Sequence, residues 1–215
     1  AHLGSAVTRR GLQRLFSRLD RKGKGLLGAL VARLSRKSDL MSTASLDLVQ
    51  GRLVPSAVAA KRNAELVFDL LERFIVAGGG GQIRLTKSFA EGPIWSEGLS
   101  TALQDLLREI ELLNESLRVI RERHERVAAR DEVVAPLFNE IRGVGRRLVT
   151  AGDALRMGLA PPPDAPPSVR WVEVRGAPPR AGERPERNVA VSTVPLDLAP
   201  ILREDLFARL ATTVV

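Results

Sequence analysis

The sequence predicts a mainly α-helical chain that ends in a small β-β-α-β piece. Three observations lead there. Aromatic residues make up only 4% of the 215 positions and Tyr is absent, so any core is built from Leu, Val, Ile and Ala. Apolar residues recur every three or four positions through most of the first 158 residues, which is the helical period. At "APPPDAPP", residues 160–167, the character changes, because proline cannot continue a helix and stiffens a connection. Beyond it apolar and polar residues alternate as in strands. The expected organisation is a helical region over 1–158, a Pro-rich linker over 159–168 and a β-containing segment over 169–215. That last segment is too small to bury a core alone and is expected to join a sheet supplied from elsewhere.

The first helix is expected from residue 8 to 22, with Thr8 as N-cap. Leu12, Leu15, Phe16 and Leu19 form its apolar face, and Arg10, Arg14, Arg18 and Arg21 fall mostly on the other side. "GKG" at Gly23 to Gly25 breaks it. A second helix carries Leu26, Leu27, Leu30, Val31 and Leu34 inward, with Arg33, Arg36 and Lys37 near its end, where cations also complement the helix dipole. Together they read as an antiparallel hairpin, apolar inside and basic outside. A short helix is expected over 42–50 and a longer one over 55–76, with Leu66, Val67, Leu70, Leu71, Phe74 and Ile75 inward. "AGGGG" is a flexible turn, 82–86 a short strand, and "SFAEGPIWSEG" a loop. The strongest helix spans 99–129, about 45 Å long at about 1.5 Å per residue. Its near-heptad seam is Leu103, Leu106, Leu107, Ile110, Leu113, Leu117 and Ile120. A second long helix over 131–157 places Val134, Leu137, Ile141, Val144, Leu148 and Leu155 inward, and the short break makes the two antiparallel neighbours. Then come "VRWVEV" as a strand, a polar loop over 176–187, "NVAVSTV" as a strand, a helix over 200–210, and "TTVV" at the start of a third strand.

Charge points toward function more than motifs do. Net charge is +8, and residues 1–62 hold 13 Lys/Arg against three acids, while the remainder holds 20 against 22. A one-sided basic cluster is the usual footprint of a polyanion partner. The phosphate-contact candidates are Arg9, Arg10, Arg14, Arg18, Arg21, Lys22 and Lys24, then Arg36, Lys37 and Lys87. Trp95 is either a base-stacking residue or a packing anchor, and Trp171, in a strand, reads as a core or interface anchor. "GKGLLG" matches a dinucleotide-binding spacing by letter, but it joins two helices where that motif needs a strand before a helix. It therefore reads as a turn whose Lys22 and Lys24 face a phosphate backbone. "GVGRR", residues 143–147, reads as a close-packing or bending point, with Arg146 and Arg147 able to extend a basic face. His124, in "RERHERV", is expected at the solvated surface. The absence of Cys excludes disulfides and thiolate chemistry within the chain. No metal site, cofactor site, small-molecule substrate or catalytic group is expected, and the chain reads as non-catalytic. No apolar run approaches a membrane span and no leader is visible, so a cytoplasmic location is expected.

Two stretches, one at each end, carry a resemblance. "VSTVPLDLAPILREDLFARLATTVV", through Pro195, Leu196, Asp197, Leu198, Pro200, Leu202, Leu206 and Phe207, resembles the segment that leads into motif III of the DinG/XPD family of superfamily-2 DNA helicases. "HLGSAVTRRGLQRLFSRL" is similar to the segment after the DEAH box in bacterial members. The resemblance implies that the chain lies between those two motifs. The helical region would then be Arch-like, and the end would be part of a RecA-like motor domain. It implies a single-stranded DNA partner, contact with the remaining motor domains, and a bacterial 5′→3′ helicase as parent, in DNA repair. ATP, Mg and any iron–sulfur cluster would belong to that parent, outside this chain. The alternative expectation is a helical scaffold or adaptor whose basic hairpin binds an acidic protein, with the 103–120 leucine seam pairing with that partner.

Overall fold

The computed structural model describes residues 4–37, 39–128, 134–175 and 187–197. Within them the chain is mainly helical and carries one small four-stranded antiparallel sheet. The helices are α1 (Arg9–Leu19), α2 (Leu26–Leu34), α3 (Leu40–Leu48), α4 (Val54–Ala77), α5 (Ser100–Ala128) and α6 (Val134–Leu159). The strands are β1 (Ser5–Thr8), β2 (Gln82–Arg84), β3 (Ser168–Arg175) and β4 (Asn188–Pro195), in spatial order β1-β4-β3-β2. The helix expected over 200–210 and the strand at 212–215 lie outside the described residues, as does nearly all of the 176–187 loop.

The long helices follow the period that predicts them. The α5 seam is buried at Leu103, Leu106, Ile110, Leu113, Leu117 and Ile120, and α6 buries Ile141, Val144, Leu148 and Leu155. Gly145 lies beside Asn114 and Leu117, and Gly152 beside Leu107 and Ile110, so α5 and α6 run antiparallel. The seam packs on α4 and α6 of the same chain. Helix α1 closes the group by packing on α4 and α6, so α1, α4, α5 and α6 each touch two neighbours around one core. Each helix thereby buries its apolar stripe, and burying such a side chain contributes about 1.5–3 kcal/mol.

Several expectations need correction. The first two helices form at the expected places, but α1 packs mainly on α4 and α6, and α2 on α3, α6 and the turn after α3. They are thus not a self-contained hairpin. The apolar stripe of α4 is Ala57, Ala60, Ala64, Val67, Phe68, Leu71 and Ile75, whereas Leu66 is 47% exposed. Three alanines in that stripe let neighbouring helices come close, and Leu66 lies one position off it. Helices α3 and α4 are joined by a wide π-helical turn, Val49–Leu53, beside Pro55, which has no N–H to complete an ordinary first turn. The expected loop after β2 contains a 3₁₀ turn, Lys87–Glu91, and a turn over Trp95–Leu99 that kinks at Gly98.

The sheet takes strands from both sides of the proline segment. β3 and β4 pair along their full length, Ser168 opposite Pro195 and Arg175 opposite Asn188. β1 adds to β4 and β2 to β3. Val172, Val189 and Val191 turn inward, and α6 ends against them. A Cβ on Gly158 would stand 2.5 Å from Val191 Cγ1, so only glycine admits that approach.

His124 is also corrected. It is 6% exposed, hydrogen-bonded through Nε2 to Ser45 Oγ at 2.9 Å, and stacked on Phe138. Ser45 is buried on α3, so the pair ties α3 to α5. Burial holds the imidazole below its ordinary value, Lys37 and Arg123 add to that, and Asp39 opposes it. A lowered folded value means that the unfolded chain binds a proton the folded chain resists. Stability is therefore full above about pH 6.5, falls as pH drops through it, and levels off at the lower folded value. The urea midpoint of the wild type is expected to fall between pH 7.5 and 5.5, and that step is expected to vanish in His124→Asn. Equal midpoints for the wild type at the two pH values would contradict this account of His124.

Candidate functional site

The site is built where α1, the α1–α2 turn and α4 meet. Thr8 caps α1 by accepting the Gly11 N–H at 3.0 Å, and the helix then places Leu12, Phe16 and Leu19 in the core. Arg10, Arg14 and Arg18 remain exposed. The chain reverses through a two-residue turn. Arg21 and Lys24 exchange backbone hydrogen bonds of 2.7 and 3.0 Å, and Lys22 and Gly23 both have positive φ, 53° and 73°. Only two-residue hairpin turns of this kind need positive φ at both central positions. Asp20 Oδ1 accepts the Gly23 N–H at 3.1 Å. The Gly23 carbonyl sits so close to Gly28 of α2 that a Cβ there would stand 2.1 Å from it. "GKGLLG" is thus a turn held onto the start of a helix, and its three glycines serve backbone geometry.

This turn presents cations. Arg14, Arg18, Arg21, Lys22 and Lys24 line one open concavity of about 710 Å³. An adjoining concavity of about 580 Å³ shares Ser17, Arg21 and Lys22 with it and is walled on the far side by Lys61 and Arg62 of α4. The two form a continuous groove with seven cations against two carboxylates, Asp20 and Glu65. Gln13 Nε2 donates to Glu65 Oε1 at 2.9 Å, and Arg18 is engaged by Glu140 of α6. Lys61 and Arg62 are the residues that sequence reasoning missed. They belong to the basic N-terminal stretch by count, but only the docking of α1 on α4 shows that they share a groove with Arg21.

Not every expected contact residue is there. Arg9 is 3% exposed, with Nη2 donating to Asp69 at 2.6 Å and Nη1 to Glu72 at 3.1 Å. Its expected phosphate contact is corrected: the side chain is consumed inside the fold, docking α1 on α4. Arg10 is exposed near the sheet, its backbone N–H donating to Asn188 Oδ1 at 3.1 Å. Arg36 and Lys37 are exposed just past α2, and Lys87 follows β2 at the opposite edge of the sheet from β1. Trp95 packs on Phe89, which packs on Phe74, with ring centroids 5.6 and 5.3 Å apart. It is an anchor of the turns before α5 and does not line the groove. Trp171 is half-buried in β3.

The arrangement suits a polyanion. Guanidinium forks and ammonium groups of this kind can bind phosphate oxygens without proton transfer, and the one aromatic residue lining the groove, Phe16, is buried. Among the described residues no group of His, Asp and Glu is arranged to hold a metal ion, and no helix is long and apolar enough to cross a membrane. Comparison of the sequence with protein-family models gives no match, and no curated protein matches it.

The ion-pair geometry predicts an asymmetry. Asp69→Ala combined with Glu72→Ala leaves a buried guanidinium without its carboxylates and is expected to destabilise by about 3 kcal/mol in urea unfolding. Arg9→Met keeps the packing and removes the charge, at about 1 kcal/mol. The reverse order would contradict the assignment of Arg9 as a buried docking residue.

Proposed function

We propose that this chain is the single-stranded-DNA gripping and gating region of a bacterial ATP-dependent 5′→3′ DNA helicase of the DinG/XPD type, itself non-catalytic. The observation that carries the proposal is the continuous groove of α1, the Arg21–Lys24 turn and α4, with seven cations on its walls. Such a surface follows a phosphate backbone and ignores base identity, as a motor that moves along DNA requires. The similarity of residues 191–215 and of the N-terminal segment to the DinG/XPD family supplies the parent. In that setting ATP, Mg and any iron–sulfur cluster act in the remaining motor domains, and the protein is cytoplasmic.

The adaptor alternative rests on the same basic surface. The leucine seam that it would offer to a partner is buried against α4 and α6, which leaves it only charge. Protein partners are usually anchored by buried aromatic or arginine hot spots in pockets, and the groove presents no exposed aromatic ring for them.

Fluorescence anisotropy with labelled dT20 at low salt tests the proposal. The wild type is expected to bind, and Arg14→Glu combined with Arg62→Glu, one substitution on each wall, is expected to weaken binding at least about tenfold. No binding, or binding unchanged by the double reversal, would overturn it.

A further inference from the structure

The motif "GVGRR" finds its place on α6. Ile141, Val144 and Leu148 turn into the core. At about 100° per residue, Glu140 and Arg147 then fall on the flank toward α1, Arg142 on the outer side of the flank toward α5, and Arg146 on the outer face, opposite the core. Contacts agree on both sides. Glu140 engages Arg18 of α1, while Arg142 and Arg146 line a narrow concavity of about 160 Å³ together with Arg118 and Arg121 of α5. Gly145 lies on its floor, where a Cβ would make ordinary contact with Asn114 Oδ1 at 3.4 Å.

The four arginines are not equally committed. Arg118 is held by Glu115 and Glu122, and Arg142 gives one N–H to Asn139 at 3.1 Å. Among the described residues neither Arg121 nor Arg146 has a carboxylate partner. The floor residues Leu117 and Ile141 are buried, so the concavity offers no apolar anchor. Positive charge in excess of its local acids, with no apolar anchor, fits phosphate better than a protein surface.

We propose that this α5–α6 groove is a second phosphate-binding site, and that one nucleic-acid strand held in the α1–α4 groove continues over the outer face of α6 into it. The proposal rests on the nucleic-acid reading above. Arg146 and Arg147 lie exposed along the crossing, Arg147 Nε donating to the Gly143 carbonyl at 3.2 Å, and Gly143 itself puts no side chain there. The exposed Arg18–Glu140 pair stands at its entrance, so a strand passes the Glu140 carboxylate there. A helix with side chains is about 10–12 Å across, so a strand needs several more nucleotides to fill both grooves than to fill one.

The test compares dT6 and dT20 on the full chain. For Arg142→Glu/Arg146→Glu, dT20 affinity is expected to fall about tenfold and its salt dependence to flatten, while dT6 affinity changes less than about twofold. Arg142→Gln/Arg146→Gln, with a thermal melt matching the wild type, is expected to give the same pattern more weakly. If both oligonucleotides are affected equally, or neither is, the second site is overturned while the α1–α4 groove stands. If the wild type binds neither, the reading beneath it fails. Preference for a polyglutamate peptide over dT20 would overturn both in favour of an acidic protein.

Discussion

The buried guanidinium of Arg9 is the constraint on which the basic groove depends. A charge out of water is tolerated only beside opposite charge, and here Asp69 and Glu72 of α4 take the two Nη groups, while Nε is buried without a partner among the described residues. Glu72 also lies 3.8 Å from the partly exposed Arg187, just before β4, a long and weak contact beside the Arg9 pair. Arg9 follows β1 directly and opens α1. Fixing it sets the strand, the helix axis and the distance from α1 to α4 together. The groove exists because that distance leaves an open channel beyond Phe16, with Arg21 and Lys22 on one side and Lys61 and Arg62 on the other.

This division of labour changes how the N-terminal charge is understood. Counted along the sequence, the basic residues look like one surface. In the fold Arg9 is structural, Arg18 is shared with Glu140, and Lys87 stands at the far edge of the sheet. The cations that remain together are drawn from two helices and a turn. Apart from the buried Phe16, the described aromatic residues stay away from the groove: Phe74, Phe89 and Trp95 form their own cluster before α5. A ligand in the groove meets charge with little chance of stacking, which suits the proposed grip on a phosphate backbone.

Much of the helical architecture was legible in the sequence. The seam of α5 and the inward set of α6 have long, regular periods, and those survive any packing that buries one face. The N-cap at Thr8 and the turn glycines were legible for the same local reason. What was not legible is set by distant partners. β1 is four residues long and becomes a strand because residues 190–193 pair with it. His124 sits in a run of charged residues, yet Ser45 and Phe138, from α3 and α6, enclose it. Arg9 looks like its neighbour Arg10 until the acids sixty positions later reach it. In the candidate site, the turn and α1 were readable, while Lys61 and Arg62 needed the tertiary contact.

The central claim is that the groove grips a phosphate backbone through several simultaneous ionic contacts. The most direct measurement is the salt dependence of the dissociation constant for dT20. Each neutralised phosphate on a single strand contributes a log–log slope of about 0.7, so four to six contacts predict a slope of about −3 to −4. A slope near zero, with binding retained at high salt, would contradict it.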